Sequence, residues 1–131
     1  MITVEELQTL SRERIEDAKV LYRAGHMDWA MYTCGYAVEL ALKKKICDTL
    51  RWKGYPSSKN EFRDLLSFKT HDLDMLLHLS GVEDEIKEGE VFTEWSIVRA
   101  WDPEMRYSSQ KRTIESVKLL LEAVEVLLKK L

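Results

Sequence analysis

Apolar residues return along this chain every three or four positions rather than every second one, the spacing of helices that each bury one face. Val4, Leu7, Leu10, Ile15, Ala18, Leu21 and Tyr22 form the first stripe. Thr3 stands before it with Glu6 three positions on, the spacing of a capping box in which each side chain serves the other's backbone N–H. A first helix is therefore predicted from Thr3 to the break at Gly25. Asp28 is a good N-cap for a second helix running to about Trp52, where Gly54-Tyr55-Pro56-Ser57-Ser58 breaks it. From Trp29 to Leu42 this helix is apolar almost all round, the pattern of a helix enclosed by others.

Asn60–Phe68 reads as a short helical piece. Thr70-His71-Asp72 starts another short helix, with Leu73, Leu76, Leu77 and Leu79 on its apolar face and Gly81 as its stop. The acidic stretch Val82–Glu90 reads as a solvated loop or a frayed helix. Apolar periodicity returns through Phe92, Trp95, Val98 and Trp101. Asp102-Pro103-Glu104 marks a turn or a new start, because proline fits a first turn but not a helix interior. The last helix is predicted from about Ser108 to Leu131, on a stripe of Ile114, Val117, Leu120, Leu121, Val124, Leu127, Leu128 and Leu131. No repeat and no long linker divides the chain. The pattern predicts one all-α domain over residues 1–131, an up-and-down bundle of about five helices.

Composition excludes the competing classes. With 131 residues, 45% of them hydrophobic, the chain is long enough for its own core. Five Gly and two Pro are too few for a β-sandwich, a collagen-like repeat or a disordered chain. Two Cys make no disulfide scaffold; Cys34 and Cys47 lie about 20 Å apart along one helix and are expected to be buried free thiols. The N-terminus lacks the basic and apolar regions of a secretion signal, and no apolar run approaches the ~20 residues of a membrane span. A cytoplasmic protein without membrane attachment is the expectation.

Charge changes the picture once it is divided along the chain. The net charge of −3 splits into −3 for residues 1–39, +5 for 40–71, −7 for 72–94 and +2 for 95–131. The basic block, from Lys43 to Lys69, suits an anionic partner such as RNA or a nucleotide phosphate. It also suits the solvated C-terminal end of the second helix, where cations oppose the helix dipole.

Familiar catalytic signatures are missing: there is no glycine-rich phosphate loop, no dinucleotide fingerprint, no paired-histidine zinc motif and no nucleophile elbow. His71 and His78 fall roughly 10 Å apart along a helix, too far to share one metal ion. No metal or cofactor is expected. Three features remain. Glu39, with Lys43 one turn on, lies inside the enclosed helix, where a carboxylate needs a partner. His71 lies beside Lys69 in Lys69-Thr70-His71-Asp72-Leu73. Arg106 and Tyr107 close the run Trp101-Asp102-Pro103-Glu104-Met105-Arg106-Tyr107, and a guanidinium beside an aromatic ring suits a phosphate or a base. Arg106 is equally a candidate to neutralise Glu39 inside the bundle.

These features, in this order, resemble the HEPN (higher eukaryotes and prokaryotes nucleotide-binding) domain family. The resemblance rests on Asp17-Ala18, Ala30, Tyr32, the run Gly35-Tyr36-Ala37-Val38-Glu39-Leu40-Ala41-Leu42-Lys43, Thr70-His71-Asp72-Leu73 and Trp101 through Tyr107. It covers essentially the whole chain. It implies a helical bundle, commonly a homodimer, that binds or acts on RNA or nucleotides, often beside a small nucleotidyltransferase partner. Family RNases carry Arg-x(4–6)-His. Here His26 follows Arg23 by three positions, Arg63 precedes His71 by eight, and Lys111, Arg112 and Thr113 stand where a histidine would follow Arg106.

The reading is therefore a non-catalytic, dimeric module that binds a nucleotide, RNA or a nucleotidyltransferase. Lys69, His71, Arg106 and Tyr107 are its ligand-binding candidates, and Glu39, Lys43 and Trp101 its structural support. The alternative is a metal-independent RNase, of toxin or defence type, using Arg106 and His71 as a non-standard pair.

Overall fold

The computed structural model describes residues 1–104 and 112–131. Its described residues form six α-helices and one two-stranded ribbon. The order is β1 (Ile2–Thr3), α1 (Val4–Arg23), α2 (Met27–Leu50), β2 (Gly54–Tyr55), a 3-10 turn (Leu66–Phe68), α3 (Leu73–Ser80), α4 (Glu83–Lys87), α5 (Phe92–Val98) and α6 (Ile114–Leu128). This is the expected all-α bundle.

Local chemistry sets the clearest boundaries. Thr3 and Glu6 form the reciprocal capping box at the start of α1. Asp72 caps α3 by accepting from the Met75 N–H, and Gly81 ends that helix at φ 82°, a left-handed conformation that suits a residue without Cβ. Thr113 caps α6. The second helix starts earlier than expected: it begins at Met27, with His26 at the cap position and no side-chain cap. Asp28 sits inside the first turn, where its charge opposes the helix dipole, and accepts from the Arg112 N–H at 3.4 Å.

Other boundaries also differ. Only Leu66–Phe68 of the predicted piece Asn60–Phe68 is regular, as a 3-10 turn, and α4 occupies part of the acidic stretch Val82–Glu90. Phe92 and Ile114, counted on apolar faces, are exposed. The predicted start of the last helix at Ser108 lies outside the described residues. The ribbon was not expected. It pairs Ile2 with Tyr55 and Thr3 with Gly54, antiparallel, and ties the chain before α1 to the chain after α2.

α2 is the central helix, packed against α1, α3 and α6 and in contact with β2. Its buried residues include Ala30, Cys34, Ala37, Val38, Leu42 and Ile46. They join one apolar cluster with Leu7 and Ile15 of α1, Leu76 and Leu77 of α3, Trp95 of α5 and Val124 and Leu127 of α6. Trp101 reaches the same cluster because Gly35 makes room: a Cβ there would lie 2.2 Å from its indole ring. Cys34 and Cys47 are buried and unbridged. Burial pushes both thiols up, that of Cys47 to about 11.

Candidate functional site

Residues 32, 36, 39 and 43 follow one another at steps of four, three and four, so α2 presents Tyr32, Tyr36, Glu39 and Lys43 on one face. The turn before α3 delivers His71 to this face, and the segment after α5 delivers Trp101. Between them opens a cleft of about 740 Å³. Tyr32, Tyr36, Glu39, His71 and Trp101 line it, with Arg99, Asp72, Asp74, Asp102 and Glu104.

Glu39 is the fixed point. Only 1% exposed, its carboxylate needs partners, because an unpaired buried charge costs several kcal/mol. It has two. Lys43 Nζ donates to Oε2 at 3.1 Å, and His71 Nδ1 lies 3.0 Å from Oε1. An ionised carboxylate only accepts, so Nδ1 carries the hydrogen in this bond, and a neutral imidazole then keeps its lone pair on Nε2. The His71 side chain is 68% exposed. A buried carboxylate thus holds one nitrogen of a ring that is otherwise open to solvent. Tyr36 senses the same environment: its hydroxyl is pushed up, by burial first and by the Glu39 charge second.

Aromatic rings form one wall. Tyr32 and Tyr36 are parallel to within 6°, with centroids 6.5 Å apart, and Trp101 stands 6.1 Å from Tyr32. Trp29 extends the row, edge-on to Tyr32 at 5.7 Å. The charged lining is largely engaged within the protein. Arg99 donates to Asp74 Oδ2 at 3.1 Å, Asp72 caps α3, and Asp102 accepts from the Glu104 N–H at 2.9 Å.

The family model of the HEPN domain matches residues 4–131. The chain belongs to the HEPN domain family. HEPN domains are nucleotide-binding or RNase-like helical modules that often dimerise and bind nucleic acid. No curated protein and no solved structure matches the chain. Among the described residues of this HEPN domain no helix is long and apolar enough to cross a membrane.

Of the residues singled out in the sequence, this HEPN domain brings Glu39, His71 and Trp101 to one cleft and sets Lys43 behind Glu39. Lys69 is exposed two positions before His71 and does not line the cleft. Arg106 and Tyr107 lie outside the described residues, as does the expected pairing of Arg106 with Glu39. Sequence reasoning named Tyr32 and Tyr36 only within the family resemblance and missed the cleft wall they form, and it missed Arg99 altogether. The step of 32, 36, 39 and 43 along one helical face was the available signal for the tyrosines. Arg99 had none, since it reaches the cleft only through the turn that follows α5.

Proposed function

We propose that this HEPN domain is a non-catalytic module that binds a nucleotide or single-stranded RNA in the Tyr32–Trp101 cleft, acts as a homodimer and serves a small nucleotidyltransferase partner. The aromatic wall carries the reading. Unpaired bases stack on such rings, each stack being worth about 1–3 kcal/mol, whereas a paired duplex offers no free base face. The described cleft lining is rich in carboxylates, which disfavours seating a phosphate deep inside it. The reading therefore assigns the base to the aromatic wall and the phosphate to Lys69 and Arg106, with Tyr107 as a further ligand-binding residue. His71 supplies a hydrogen-bonding nitrogen whose orientation Glu39 sets. The missing Arg-x(4–6)-His motif supports binding without cleavage. Titration with a nucleoside monophosphate and with short RNA should give saturable binding that a folded Arg106→Ala protein loses. Undiminished affinity in that variant would remove Arg106 from the site.

One observation favours a second reading. A histidine bonded through Nδ1 to a buried carboxylate, with Nε2 left as the lone pair, is arranged as a general base. Incubation with RNA in EDTA separates the two readings. The binding module leaves the RNA intact, whereas a metal-independent RNase yields 2′,3′-cyclic phosphate ends that disappear in His71→Ala.

A further inference from the structure

Tyr55 is fully buried outside the cleft, and the proposed binding makes no use of it. Yet it touches one group that holds Glu39, Lys43, and the segment that leads to the other, His71. Its hydroxyl donates to the Phe68 carbonyl at 2.5 Å, three residues before His71. Its ring lies 5.2 Å from Lys43 Nζ, and the same ammonium donates to Glu39 Oε2. The Phe68 ring is gripped as well, 5.0 Å from Trp52 and 6.4 Å from Tyr55. The antiparallel pairing of Tyr55 with Ile2 fixes the backbone from which these contacts are made.

The segment that delivers His71 has little regular structure of its own. Between β2 and α3 it contains one three-residue 3-10 turn. A chain of this kind needs side-chain anchors to hold one imidazole nitrogen within bonding distance of one carboxylate oxygen. The Tyr55 hydroxyl is such an anchor, and an unusually dependable donor. Burial first, then the nearby Cys47 and Glu39, push its pKa up, so the proton stays in place throughout the neutral range.

We propose that Tyr55 is the positioning residue of the cleft, fixing the segment before His71 and the Lys43 ammonium together so that Glu39 holds the imidazole by Nδ1. The consequence for ligand binding rests on the function proposed above, whereas the state of His71 is observable without a ligand.

The test uses the full chain labelled with 15N, with the His71 ring signals assigned by their loss in His71→Asn. In the wild type, ring 1H–15N correlations should report the Nδ1–H tautomer. Tyr55→Phe keeps the buried ring and removes only the hydroxyl. It should shift His71 to a mixture of tautomers and weaken single-stranded RNA binding by up to about tenfold, the effect of one lost hydrogen bond. A folded Tyr55→Phe protein with the wild-type His71 pattern overturns the proposal, even if its melting temperature has fallen. Should Tyr55→Phe not fold, the wild type decides: its Tyr55 hydroxyl proton should be slow to exchange, as a buried donor to the Phe68 carbonyl requires, and a hydroxyl proton that exchanges freely with solvent overturns the proposal. A tautomer shift without RNA binding by the wild type supports the role of Tyr55 and rejects the binding reading instead.

Discussion

Gly35 illustrates how a single residue shapes this cleft. Glycine inside a helix ordinarily costs up to about 1 kcal/mol relative to alanine, so Gly35→Ala would stabilise an unencumbered helix. Here the added Cβ would meet the Trp101 indole at 2.2 Å, and overpacking of this kind costs about 1–3 kcal/mol. Gly35→Ala is therefore expected to destabilise the protein, read as a lower urea midpoint at unchanged slope, and to blue-shift or redden tryptophan emission as Trp101 is displaced. Glu39 shows the complementary case. Its placement in an apolar run announces a buried charge, and Lys43 four positions on announces one partner, because i,i+4 pairs meet on a helix. The second partner was not legible. His71 is 32 positions away in sequence, and only the packing of α3 against α2 brings its segment to Glu39.

Elements with local punctuation were readable, and those without it were not. α1 and α3 carry their caps in the sequence, as Thr3 with Glu6 and as Asp72 with Gly81. The burial of α2 was readable from its nearly uninterrupted apolar run, although Trp29 at its start is 53% exposed. The ribbon was not readable, because two residues per strand show no alternation and the partners stand about fifty positions apart. The end of α2 holds a residue at odds with its conformation. Arg51 terminates the helix at φ 57°, a left-handed geometry that costs a non-glycine residue about 1–2 kcal/mol. It is exposed, so little packing is lost on truncation. Arg51→Gly should raise stability by about 1 kcal/mol in chemical denaturation.

At the scale of the whole molecule, the division of charge carries more information than its total. The basic residues 40–71 include the segment that leads to His71, while the acidic residues 72–94 begin with the cap of α3. The cleft lies where the two blocks meet. Such a surface is suited to pairing with itself, basic against acidic, as well as to an anionic ligand. The homodimer in the proposed function should therefore sediment at twice the 15.4 kDa chain mass and shift toward the monomer as salt rises. A chain mass found at all concentrations and low salt would remove the dimer from the account. The helical class was legible at this scale from periodicity and from the scarcity of glycine and proline. The cleft was not, because it is assembled from three segments that share no local pattern.

The central claim is that the aromatic wall of the cleft receives an unpaired base without cleaving the strand. Fluorescence-anisotropy titration of a labelled single-stranded RNA, with wild type and Tyr36→Leu side by side, tests it most directly. Leucine preserves apolar contact on α2 but offers no face for stacking. The account predicts that the wild type binds, that Tyr36→Leu binds at least about fivefold more weakly, as loss of one base stack requires, and that the RNA is recovered intact. Equal affinity in a folded Tyr36→Leu protein, or RNA shortened during the titration, would contradict it.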